Sequence, residues 1–290
     1  MFPLIFSLLF LLGTGAVQAQ PRLLWEARGF EAPESVLYDA DRGLLYVSNV
    51  NGQPTAKDGN GYISRLRPDG TLLERRWIQG LDAPKGMALA GDRLYVTDID
   101  HIAVIDPENG RTIRHLPAAG ARFLNDAAAG ADGAVYFSDM QSTSIWRLKG
   151  GRLEEWFRSD NHRFCAPNGL LVEGERLIVA CWSWSQDEFE PNLAGHLKSV
   201  DLKSRKVSDL GKAREIGRLD GIESDGRGGW FVTDWVAGVL FHVDTAGATP
   251  LLQLETGSAD LGISANHQIL YIPLMQGGVV RAYSVSGTHP

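Results

Sequence analysis

Cysteine is nearly absent from this chain: Cys165 and Cys181 are its only two in 290 residues, too few for a disulfide-rich scaffold or a cysteine-ligated zinc site. Positive charge is scarce as well, with 28 Lys and Arg against 35 Asp and Glu and a formal net charge of -7. That balance, with the basic residues scattered, opposes binding to a phosphate backbone, so no nucleic-acid partner is expected. After the N-terminus no apolar run approaches the roughly 20 residues of a membrane span. No long amphipathic helical pattern is present, nor a His-Glu-x-x-His pair, a Gly-x-Ser-x-Gly elbow, or a nicotinamide, flavin or haem signature. What remains is 44% hydrophobic content, enough for one sizeable core.

The first twenty residues stand apart. Met1 to Leu12 are almost uniformly apolar, and Gly13, Thr14 and Gly15 lead to Val17-Gln18-Ala19, a small-residue cleavage pattern. Residues 1–19 are expected to be a signal peptide and 20–290 a single domain, exported to the periplasm or beyond. Such a compartment permits the two cysteines to pair.

One unit recurs along the chain. A short β-branched and aromatic strand ends in a small or polar pair: LLYVSN from Leu44, RLYVTD from Arg93, AVYFSD from Ala134, RLIVAC from Arg176, GWFVTD from Gly229 and, more loosely, ILYIPL from Ile269. The copies begin 40 to 53 residues apart, the period of a four-stranded propeller blade. Each is preceded by a strand across a tight Gly/Asp turn, and each is followed by a third strand and an outer fourth. The pattern predicts an all-β, six-bladed β-propeller with four-stranded antiparallel blades. Leu23 to Arg28 form an orphan strand that is expected to complete the sixth blade and close the ring.

In such a ring the residues at the start of each first strand converge at one mouth of the central channel. They are Glu34, Lys85, Asn125 with Asp126, Asn168, Asp220 and Asp260. The ends of the second strands return to the same mouth with Asn49, Asp98, Asp139 and Asp234. Converging carboxylates and amides suit a hard cation such as Ca²⁺, which takes about 6 to 8 oxygens; the alternative is that Asp and Asn here cap turns.

The segments APESVLYD (Ala32 to Asp39), FLNDAAAGADG (Phe123 to Gly133), APNGLLVEGERL (Ala166 to Leu177) and LDGIESDGRGG (Leu219 to Gly229) resemble the metal-site segments of the SMP-30/gluconolactonase/luciferin-regenerating family. The similarity runs over nearly the whole mature chain. Carried over by position, it implies a divalent cation held by Glu34, Asn125, Asn168 and Asp220, with Asn125 acting directly or through water. It also implies Asp220 as general base in the hydrolysis of small cyclic esters, with cleavage of phosphotriesters known among relatives. Two departures are visible: the family's Asn-Asp-Gly reads Asn125-Asp126-Ala127, and its Glu-Gly-Pro reads Glu34-Ser35-Val36.

Other residues fill out the mouth. Lys85 is read either as a substrate-orienting cation or as a group that pairs with nearby carboxylates and replaces the metal. Asp126 borders the ring, and His101, just past a mouth-facing strand, is the one histidine placed to shuttle a proton; His196 and His242 read as packed or surface residues. Two insertions could cover the mouth, Asn49 to Asn60 and Trp182 to Asn192, the second offering Trp182 and Trp184 as an apolar wall for a ligand. Cys165 precedes the first strand of the fourth blade and Cys181 ends its second, close enough for a disulfide or for two separate thiols. The expectation is a monomer acting on a small molecule as a Ca²⁺-dependent lactonase-like hydrolase. The alternative is a non-catalytic binding propeller with a structural calcium.

Overall fold

The computed structural model describes residues 20–159, 164–183 and 194–288; the expected signal peptide and Trp184 lie outside them. Twenty-four strands form six four-stranded antiparallel sheets, and a 3₁₀ turn at Ala265–His267 is the one helical element among the described residues. Among the described residues no helix is long and apolar enough to cross a membrane. The six strands recognised in the sequence are the second strands of successive blades, with first strands at Pro33–Asp39, Pro84–Ala90, Leu124–Ala129, Ala166–Glu173, Leu219–Ser224 and Gly262–Ser264.

The orphan segment is the outer strand Arg22–Arg28, antiparallel to Val279–Ser284 of the sixth blade. Trp25 Nε1 donates to Pro68 O at 2.9 Å in the first blade, and Arg281 Nε donates to Glu26 Oε2 at 2.7 Å. The two ends of the chain are thus joined in one sheet, and no blade is left with an open neighbour.

The core is divided among the blade interfaces. Six large apolar clusters lie one between each adjacent pair of blades, such as Tyr46, Ile63, Met87 and Val96 between the first and second. This follows from the alternation of side chains along each strand, which presents both faces of a sheet to its neighbours.

The innermost strands carry the feature that shapes the channel. In five blades two residues of the first strand oppose one of the second, between Pro33 and Val36, Pro84 and Met87, Leu124 and Ala127, Pro167 and Leu170, and Leu219 and Ile222. Such a bulge re-aims the extra side chain. The recurring Ser or Thr of the second strand serves it: Ser48 Oγ accepts from Ser35 N at 2.9 Å, Ser138 Oγ from Asp126 N at 2.8 Å and Thr233 Oγ1 from Gly221 N at 2.9 Å. The strands crowd so closely here that a Cβ on Gly169 would lie 2.1 Å from the Asp220 carbonyl oxygen, and one on Gly86 would lie 2.4 Å from Asp126 Cα.

Candidate metal centre

The first bulge residue of each blade points to the channel mouth, giving in order Glu34, Lys85, Asn125, Asn168 and Asp220. The sixth blade corrects the sequence reading. Thr233 Oγ1 donates to Ala259 O as Thr97 Oγ1 donates to Asn125 O, and Ser258 bridges Leu274 as Pro33 pairs Asn49. Ala259 therefore holds the mouth position, and Asp260 sits one residue deeper, level with Asp126.

Three mouth side chains form a directed chain across adjacent blades. Asn125 Nδ2 donates to Asn168 Oδ1 at 2.6 Å, and Asn168 Nδ2 donates to Asp220 Oδ2 at 3.1 Å. Each amide is thereby oriented, and Asn168 Oδ1 keeps a second lone pair. Glu34 and Asp220 are 6% and 4% exposed, and Glu34 Oε2 and Asp220 Oδ1 are buried without any hydrogen-bond partner. Burial raises both pKa values well above the carboxylate range, and the charges of Asp220 on Glu34 and of Asp260 on Asp220 push the same way. Two orphaned carboxylate oxygens beside two amide oxygens fit the donor set of a hard divalent cation, since a buried anion is stable only with a counter-charge or a proton.

Lys85 occupies the position between Glu34 and Asn125 and is 2% exposed. Its Nζ donates to Ala83 O at 2.9 Å and Pro54 O at 3.1 Å and lies 4.5 Å from the centroid of the Phe123 ring. Glu34 and Asp98 act on it only at longer range, so the ion pair that would make it a substitute for the metal is not formed. Burial lowers its pKa to about 8.

The second-strand residues do different work. Asp98 accepts from Asp82 N at 2.9 Å and Ala83 N at 2.7 Å, Asp139 from Arg122 N at 2.9 Å and Phe123 N at 3.0 Å, and Asn49 Oδ1 from Glu31 N at 3.2 Å. Asp234 holds the N–H groups of Val236 and Ala237, each at 3.0 Å. These groups cap turns, as Asp and Asn do well. In the fourth blade Cys181 takes the aspartate's place and Cys165 that of the capped residue, joined by a disulfide with a Cα separation of 5.7 Å. The acidic group Asp82, Asp98 and His101 has donor atoms within 4.8 Å of one another, but both Asp98 oxygens are already engaged by backbone N–H groups.

The remaining predicted residues lie around the ring. Asp126 Oδ2 accepts from Leu170 N at 2.5 Å, and the charge of Asp260, which accepts from Ser35 Oγ at 2.6 Å, pushes the Asp126 carboxyl up. These groups border a cavity of about 280 Å³ further along the channel, walled by Leu37, Ala127, Leu170 and Ile222. The Asp126–Asp260 pair, from opposite blades, was hidden in the sequence by the misplaced register of the sixth. His101 lies 3.4 Å from Asp98 and packs edge-on against His115 of the outer strand, ring centroids 4.9 Å apart, so it is turned along its blade. His196 and His242 are buried against Asp209 and Asp225 at 3.0 and 2.8 Å. Trp182 is half-buried and packs on Trp235 with centroids 6.0 Å apart.

Fold and ring together define a six-bladed β-propeller whose channel mouth concentrates oxygen donors. No protein-family model and no curated protein matches the chain. Among solved structures it is similar to a gluconolactonase from Xanthomonas campestris, with a TM-score of 0.66 and 16% identity over 92% of this chain and 95% of that one. It is also similar to a calcium-binding regucalcin from Agrobacterium tumefaciens (TM-score 0.60, 16% identity, 91% and 92% covered). A streptogramin B lyase matches as well, with a TM-score of 0.64 and 15% identity over 92% and 99% of the two chains. The fold of the resemblance read from the sequence is thus found in the structure, and the lyase shows that this fold also serves a different reaction.

Proposed function

We propose that this protein is an exported, divalent-cation-dependent hydrolase of small cyclic esters, with Glu34, Asn125, Asn168 and Asp220 holding the cation. The observation that carries the reading is the pair of partnerless buried oxygens, Glu34 Oε2 and Asp220 Oδ1, in one ring with two amides. A divalent ion bound there supplies Lewis acidity toward an ester carbonyl oxygen.

The chain's own residues do the rest. Asn168 fixes the Asp220 carboxylate by donating to Oδ2 at 3.1 Å, so that the same carboxylate would hold the cation through Oδ1 and take a proton from an attacking water on a remaining lone pair. Asn125 in turn fixes Asn168, so a change at either amide misdirects Asp220. Ca²⁺ suits the donor set by ligand type, and the lactone class rests on the likeness to a gluconolactonase. Export is supported by the N-terminal pattern and by the disulfide, which persists in an oxidising compartment.

The near-complete burial of the four ligands favours one alternative, a propeller that binds without turnover and uses the cation as a rivet. Calorimetric titration of chelator-treated protein with Ca²⁺ comes first: one site is expected in the wild type, weakened at least tenfold in Glu34→Gln and Asp220→Asn. Absence of binding by any divalent ion removes the hydrolase reading. With binding established, turnover of a lactone panel separates enzyme from rivet, and Asp220→Asn is expected to abolish it while the fold persists.

A further inference from the structure

The mouth ring contains one cation, Lys85, that is neither a ligand in the proposed metal set nor held in an ion pair. Glu34 and Asp220 supply two negative charges, which a divalent ion balances. Lys85 stands in the same ring, from the equivalent bulge position of the second blade, and adds a positive charge. An ammonium buried to 2% exposure is disfavoured unless its charge and donors are compensated. Its neighbours compensate it only at longer range, through the charges of Glu34 and Asp98, and none is within hydrogen-bonding reach of its Nζ. The two hydrogen bonds it makes go to neutral carbonyls, Ala83 O and Pro54 O, and the Phe123 ring is a weak partner. Asp98 acts at longer range, and its oxygens are occupied by backbone N–H groups and the nearby His101. An ammonium has three donors, and among the described residues the third has no acceptor.

From this geometry we infer that the substrate is anionic, a small cyclic ester bearing a carboxylate beside the ring, and that Lys85 is the residue that binds that carboxylate. The inference rests on the hydrolase reading of the ring and narrows its substrate class. A neutral ring would leave the third Lys85 donor without a charged acceptor. A carboxylate completes both its hydrogen bonding and its charge, with the pairing strengthened by burial. Lys85 thereby acts as a specificity-determining residue, separate from the group that takes the proton.

The test uses equilibrium binding to the full-length, calcium-loaded protein, with cyclopentanecarboxylate and cyclopentanecarboxamide as non-hydrolysable probes of equal shape. The wild type is expected to bind the carboxylate about tenfold or more tightly than the amide, the size of a charge-assisted hydrogen bond. Lys85→Gln is expected to erase that preference and, by removing a nearby positive charge, to tighten Ca²⁺ binding several-fold. Equal binding of the two probes by calcium-loaded wild type overturns the inference without any variant, and so does a Lys85→Gln protein that keeps the preference; both outcomes leave the metal-dependent hydrolase standing. Failure of the wild type to bind any divalent ion overturns the hydrolase reading instead and is read in the same titration.

Discussion

At the scale of single residues, position within the blade separates a carboxylate with a free oxygen from one that caps a turn. Asp220 and Asp98 are both buried aspartates near the channel mouth, yet Asp98 spends its oxygens on the N–H groups of Asp82 and Ala83, while Asp220 keeps one free. Carboxylates that face the channel also carry a pH signature. Burial, aided by the charge of Asp260, raises Glu223 from 4.5 to about 8. The unfolded chain loses this proton near the ordinary value while the folded chain keeps it, so folded protein binds more protons across that window and stability falls as pH rises from 4.5 to about 8. Glu223→Gln is expected to flatten that part of the profile and to raise the melting temperature at pH 8. Superimposable curves of melting temperature against pH for variant and wild type would show that Glu223 does not hold the proton.

At the scale of elements, the small-polar pair near the end of the second strand in four of the six blades has two jobs. The Ser or Thr seats the bulge of the first strand, as Ser138 does for Asp126 at 2.8 Å, and the following Asp or Asn caps the approach to that strand. The fourth blade has Ala180-Cys181 in place of this pair, and a covalent bond stands in for the cap. Cys165 and Cys181 are 16 residues apart in sequence, and closing a loop of that size contributes about 3 kcal/mol in the chain-entropy account. Cys165→Ala with Cys181→Ala should therefore lower the unfolding free energy by about 3 kcal/mol, measured by denaturant titration; an unchanged midpoint and slope would mean that packing alone holds the blade.

At the scale of the molecule, stability is shared around a ring in which every blade has two neighbours. Removing the closing strand Arg22–Arg28 would strip Val279–Ser284 of its outer partner and take Trp25 from the cluster between the sixth and first blades. An exposed strand edge recruits other chains. A chain beginning at Gly29 is expected to melt at a lower temperature and to elute as larger species on size exclusion; retention of the full-length elution volume and melting curve would show that closure is dispensable. The same ring geometry explains why one position per blade can gather chemistry from residues as far apart in sequence as Glu34 and Asp220.

The sequence alone determined the number of blades, the second strand of each and the closing strand, because the alternation of apolar side chains and the turn residues between strands are local properties, legible at a fixed period. It also placed Glu34, Asn125, Asn168 and Asp220 at a common level through their shared position in the repeat. Tertiary structure alone decided which oxygens are free and which are engaged, since that depends on partners in other blades: the Asn125–Asn168–Asp220 chain, the bond from Lys85 to Pro54 O and the effect of Asp260 on Asp126 all cross from one blade to another. The register of the sixth blade belongs to the same class, because Asp260 and Ala259 are adjacent in sequence and only the hydrogen bond from Thr233 to Ala259 O settles which of them reaches the mouth.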